Sequence, residues 1–150
     1  MTKGYGRFAA MIATSTVVMF GLMYLNTWTM GDIWFSQTRA RMALLMGAVM
    51  AIVMLGFMWG MYPSKATNTG ILAAAVLVFG ASLYMVRAQS TVDDVSWMKA
   101  MIPHHSIAIL TSTRANLTDP RVRSLADGII ETQKREISQM ERLIADLDGR

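Results

Sequence analysis

The stretch MALLMGAVMAIVMLGFMWGMY, residues 42–62, carries no charged residue from end to end. A run of this length matches the ~20 apolar residues that cross a hydrocarbon layer, where every backbone polar group must be satisfied inside the segment itself. It reads as a transmembrane helix and sets the class of fold: all-α and embedded in a bilayer. Two further uncharged apolar runs flank it, at about residues 8–25 and 70–86. The first begins behind Lys3 and Arg7, as a signal peptide would. Its apolar run is longer than the usual ~7–15 residues, however, and Tyr24-Leu25-Asn26-Thr27 is a poor cleavage site, so a retained helix is expected. Tyr24, Trp28, Trp34, Trp59, Tyr62 and Tyr84 cluster at the ends of the three runs, where interfacial aromatic belts are expected.

Hydrophobic residues make up 53% of the chain and charged residues 16%, and the apolar share is concentrated before residue 87. The reading is therefore a membrane domain over residues 1–88 and a water-exposed segment over residues 89–150. Three crossings put that segment on the opposite side from the N-terminus. Charge alone does not orient the chain: Lys3, Arg7 and Lys65 on one side balance Arg39, Arg41 and Arg87 on the other. The net charge of +4 is spread out, so lipid headgroups and not nucleic acid are the expected counterpart. There is no cysteine, which excludes disulfides, thiolate zinc sites and c-type haem attachment.

Met42, Met46, Met50, Met54 and Met58 recur every four residues in the second span. A thioether ladder of this kind can carry Cu(I) or simply pack. Four-residue spacing drifts by about 40° per step on a helix, and methionine is a flexible filler, so packing is the expectation. Gly21, Gly47, Gly56 and Gly80 are candidates for close helix contacts, with Gly56 and Gly60 nearest to a small-residue pair and ordinary packing the expectation.

The pattern changes after Arg87-Ala88-Gln89-Ser90. Ser90 or Thr91 followed by Asp93 and Asp94 predicts a helix start, and the helix runs to about Ala115. Asn116-Leu117-Thr118 is the turn, and Asp119-Pro120 restarts a helix that ends near Leu147, before Gly149. Val122, Leu125, Ala126, Ile129, Ile130, Ile137, Met140, Leu143, Ile144 and Leu147 form the seam of this last helix, interrupted by Gln133. The expected product is an antiparallel helical hairpin, half of a ferritin-like four-helix bundle. About 60 residues bury too little alone, so two hairpins are expected to associate as a homo-oligomer.

Both histidines of the chain lie in Met98-Lys99-Ala100-Met101-Ile102-Pro103-His104-His105. At 100° per residue Met98, Met101 and His105 fall within roughly 60° of one another, with His104 about 60° further round. Thioethers and imidazole are the donors preferred by soft ions, Cu(I) above all and also Ag(I), with Cu(II) a further candidate. Adjacent side chains diverge by about 100°, so one histidine is expected at the ion while the other meets a second chain, a second ion or a carboxylate. Pro103 is expected to kink a helix already begun. The turn brings Gln133, Glu136 and Met140 toward this face, the first two as groups that orient a ligand.

The run Trp97–Ile109, the Asp119-Pro120-Arg121-Val122-Arg123 start and the Gln133…Glu136-Ile137…Gln139-Met140 stretch resemble the signature of the bacterial domain of unknown function 305 family, over about residues 92–147. The resemblance implies a helical, ferritin-like domain outside the cytoplasm that binds copper or silver. It puts forward Met98, Met101, His104, His105 and Met140 as ligands, and an N-terminus in the cytoplasm of a bacterial inner-membrane protein with its hairpin in the periplasm. Copper buffering, tolerance or delivery is then the expected role. The alternative is a structural module whose hairpin drives oligomerisation. A carboxylate di-iron site lacks its Glu-x-x-His motifs and no strained nucleophile turn is present, so no enzymatic activity is expected.

Overall fold

The computed structural model describes residues 2–149, with side chains from residue 4 onward. Five helices and no strand occur among the described residues: α1 (Thr2–Leu22), α2 (Gln37–Phe57), α3 (Lys65–Ala88), α4 (Asp94–Arg114) and α5 (Pro120–Asp148). Short 3₁₀ turns lie at Met30–Asp32 and Trp59–Met61. Gly4–Leu22, Gln37–Phe57 and Lys65–Ala88 are each long and apolar enough to cross a membrane.

These spans are shifted from the apolar runs. The second helix starts five residues before Met42 and ends at Phe57, with residues 58–62 turning out of it. The third starts at Lys65, five residues before Gly70, because Ser64 caps it: the Ser64 hydroxyl accepts the Thr67 N–H. Hydropathy follows the apolar middle of a helix and passes over a polar first turn.

The chain forms two compact units. One comprises the residues up to Met23 with Thr38–Thr91; the other comprises Tyr24–Gln37 with Val92–Arg150. The division therefore differs from a single cut at residue 88: the segment between the first two spans belongs with the C-terminal helices.

In the first unit Phe8, Ala51, Leu55, Tyr62 and Ala75 form the core, with Tyr5 stacked on Tyr62 at 4.9 Å. Asn68 is fully buried in it. Its Oδ1 accepts from the Tyr5 hydroxyl at 2.8 Å, and its Nδ2 donates to the Trp59 carbonyl at 3.3 Å. Such a buried amide is tolerated because both ends are satisfied. The buried face of α2 is Ala43, Gly47, Ala48, Ala51 and Leu55. A Cβ added at Gly47 would stand 2.2 Å from Thr16 Oγ1, so α1 and α2 approach through this glycine. Gly56 and Gly60, nearest to a small-residue pair by sequence, have nothing within 4 Å of an added Cβ. Of Gly21, Gly47, Gly56 and Gly80, the glycines the sequence offers for close contact, Gly47 is the one with a neighbouring helix against it.

In the second unit Met98, Ile102 and Ile109 of α4 meet Ile137, Met140 and Ile144 of α5. Three contacts pair the helices in reverse order. Lys99 Nζ meets Asp148 at 3.1 Å, His105 Nε2 meets Glu136 at 2.9 Å, and Arg123 donates to the Ser112 carbonyl at 2.7 Å. The N-cap of α4 is Asp93, two or three residues after the predicted Thr91 or Ser90, and its carboxylate accepts the Ser96 N–H at 2.7 Å. Asp119 caps α5 with Pro120 in its first turn, and Gly149 ends it.

Candidate metal site

Helix α4 begins at Asp94 and passes through Pro103, so the methionines and histidines share one helix. Proline at 103 has no N–H to give the Lys99 carbonyl, yet the helix continues through it to Arg114. Met98 and Met140 are buried in the interhelical core, and Met101 packs against it half-buried. The three thioether residues are therefore gathered in one cluster.

His105 stands one turn beyond Met101. Its Nδ1 donates to the Met101 carbonyl at 2.9 Å, and its Nε2 faces the Glu136 carboxylate at 2.9 Å. Acceptor oxygens thus occupy both ring nitrogens. An ion needs a nitrogen lone pair, so it reaches His105 only when one oxygen withdraws. Glu136 is the partner able to move, its side chain being 43% exposed against 12% for the histidine. His104 is exposed, and its ring centre lies 6.1 Å from that of His105. Gln133 is half-buried beside a shallow furrow on α5 and makes no side-chain hydrogen bond among the described residues.

The donor chemistry fits a soft ion better than a hard one. Three thioethers share one cluster, with His105 one turn beyond Met101 and two beyond Met98, whereas no group of three or more His, Asp or Glu residues able to hold an ion occurs among the described residues.

Behind the histidines lies a polar contact that the sequence did not disclose. Ser106 is fully buried; its hydroxyl donates to Asp32 at 2.5 Å and accepts the Trp28 N–H at 2.6 Å. Asp32 is itself buried, and its carboxylate also faces the Thr29 N–H. Trp34 packs on the Met98–Ile102 core with Lys99 Nζ 5.8 Å from its ring centre, and Gln37 donates to Ser96 at 2.9 Å. Tyr24 and Tyr62 are buried as well. Tyr24, Tyr62 and Trp34 thus serve as packing residues of the two units. The one available signal was Asp32, a carboxylate alone between two apolar spans.

Two carboxylates here are lowered from their ordinary value, both at helix starts. Backbone and side-chain hydrogen bonds from Ser96 lower Asp93, and those from Arg121 lower Asp119, whose negative charge in turn raises the Arg121 guanidinium.

Residues 81–146 match the family described as Domain of unknown function (DUF305). An uncharacterized protein of Acanthamoeba polyphaga mimivirus is 32% identical over 142 residues, covering 90% of this chain and 91% of that one. The similarity extends through the apolar helices as well as the C-terminal pair. No solved structure matches.

Proposed function

We propose that this chain, whose residues 81–146 match the domain of unknown function 305 family, is a membrane-anchored protein that binds copper, Cu(I) in preference to Ag(I) or Cu(II), for buffering, tolerance or delivery. The observation that carries this reading is the gathering of Met98, Met101 and Met140 at the α4–α5 core, with His105 one turn beyond Met101. Soft thioethers in a water-poor cluster favour a monovalent soft ion over the harder ions of the cell. The thioethers and His105 hold the ion; Glu136, released from Nε2, orients the ring or neutralises charge. His104 stands available to a second ion or a second chain.

The reading places α4 and α5 as a hairpin at the face opposite the N-terminus, the periplasmic face of a bacterial inner membrane. Three crossings put residues 24–37 on that same side, which agrees with their sharing a unit with the C-terminal helices. Two such hairpins associate in this reading, since one pair of helices leaves apolar residues of α5 in water.

A competing structural role has its own support: both nitrogens of His105 are engaged, and Met98 and Met140 are buried as core. Anaerobic Cu(I) titration against a competing chelator separates the two, using detergent-purified protein and its His104→Ala/His105→Ala form. Binding tighter than micromolar that the double variant loses supports the site. Binding absent or unchanged in that variant leaves the hairpin as an association module.

A further inference from the structure

Helix α5 is apolar on two adjacent faces, and α4 covers only one. Ala126, Ile137, Met140 and Ile144 are buried against α4, while Leu125 is 64% and Leu143 44% exposed. Val122 and Ile129 extend the first of these exposed patches, and Leu147 the second. On a helical projection all five lie within about 60° of one another, on a stripe turned roughly 70° from the buried seam. Between the patches the stripe is polar, with Thr132, Glu136 and Gln139.

The two ends of this stripe are unlike in shape and charge. The N-terminal end carries a furrow of about 630 Å³, opened by Gly128 and lined by Leu125, Ile129 and Thr132. The C-terminal end has no glycine before residue 149 and presents Leu143 and Leu147. Arg121 borders the stripe at its start, and Asp146 borders it near its close.

We infer that α5 is the face on which a second copy of this chain docks, antiparallel, about a two-fold axis crossing the helix near residue 134. This deepens the self-association read above by naming its face, direction and register. An axis there sets Leu143 and Leu147 of each copy into the furrow of the other, Leu125 opposite Leu143, and Arg121 opposite Asp146. A parallel pair sets furrow on furrow, Arg121 on Arg121 and Asp146 on Asp146, and aligns the two helix dipoles. Each copy presents the same patch, as a two-fold interface requires. Glu136 lies two residues from the axis, so the His105–Glu136 pairs of both copies come to the same level of the assembly.

The absence of native cysteine makes the test direct. Leu125→Cys and Leu143→Cys chains are purified in detergent without metal, mixed, and oxidised with diamide. A disulfide needs Cα atoms within about 7 Å. In the antiparallel pair two copies of residue 125 stand roughly 27 Å apart, at 1.5 Å rise per residue and nine residues on each side of the axis. The mixture is therefore expected to cross-link while each variant alone stays monomeric on a denaturing gel. Gly128→Leu fills the furrow, and nothing lies within 4 Å of an added Cβ there, so the fold is kept while the dimer dissociation constant rises about tenfold or more. Self-cross-linking of Leu125→Cys alone overturns the antiparallel arrangement but keeps self-association. A monomeric mass by light scattering, with helical content intact, overturns both. Neither result bears on copper, which is absent throughout.

Discussion

The two units of this chain build their interiors from different mixtures. The helices of the membrane type bury the small residues Ala43, Gly47, Ala48, Ala51 and Ala75 beside Phe8, Leu55 and Tyr62, and leave Met42 and Met46 exposed. The α4–α5 unit buries Met98, Ile102, Ile109, Ile137, Met140 and Ile144. Solvent accounts for the difference. In water, each large apolar side chain taken out of contact adds driving force in proportion to its area. In lipid that force vanishes between helices, and close backbone approach through small residues takes its place. The same residue type, methionine, is at most half-buried along α2, where Met54 packs against the core, and fully buried at Met98 and Met140 of the other unit.

The strongest way to break the comparison is to create a hole in the water-exposed core. Ile102 has no exposed surface. Ile102→Ala is expected to cost about 2–5 kcal/mol, and chemical denaturation followed by helical circular dichroism measures it. A cost below 1 kcal/mol would mean that the α4–α5 core is not held by burial. Met140→Leu, which conserves volume, is expected to cost under about 1.5 kcal/mol while weakening any copper binding.

The complementary experiment overfills the membrane-type core. Gly47→Ala forces its Cβ against Thr16, with Thr16 Oγ1 at 2.2 Å and two more atoms of that side chain at 3.3 Å. Overpacking of this kind costs about 1–3 kcal/mol. Thr16→Ala alone is expected to be mild, and Thr16→Ala/Gly47→Ala to recover most of the loss. Thermal unfolding in detergent gives the double-mutant cycle; independent, additive effects would show that α1 and α2 do not meet at this glycine.

These contrasts explain how far the sequence could be read. The three spans, the α4 and α5 helices and the Asp119-Pro120 restart were legible because periodicity and capping are local. The gathering of Met98, Met101 and Met140 followed from the seam and a short turn. Other features depend on contacts between distant residues. Trp34 and Tyr24 have the composition of interfacial residues, and only their packing distinguishes them. Asp32 and Ser106 are 74 positions apart, and nothing in either neighbourhood marks the other. Gly47 was one of four candidate glycines in the spans, and only its contact with Thr16 singles it out.

The Asp32–Ser106 contact adds a third, smaller test, because it joins Tyr24–Gln37 to the α4–α5 core by polarity instead of burial. Asp32→Ala leaves the buried Ser106 hydroxyl without its acceptor, an expected loss of about 1–3 kcal/mol. If the contact holds the turn after His105 in place, Asp32→Asn, which retains an acceptor oxygen, recovers part of the loss. Equal destabilisation by both substitutions would mean that the carboxylate charge, not the acceptor, is required.

The smallest expected effect concerns the helix starts of the α4–α5 unit. Asp93 and Asp119 are both held below their ordinary value of 3.8, the first by hydrogen bonds from Ser96 and the second by those from Arg121. A carboxylate whose value is depressed in the fold binds protons more readily when unfolded. Its contribution is therefore complete above about pH 4 and is lost as the pH falls through the lower folded value. Helical content of α4 and α5 should accordingly be level from neutral pH to about 4 and decline below it. In Asp93→Asn/Asp119→Asn the amides still accept the capping N–H groups but do not titrate, so the acid decline should become shallower. An acid limb that is unchanged in this variant would move the pH dependence elsewhere in the unit, with Asp32 the next carboxylate to replace.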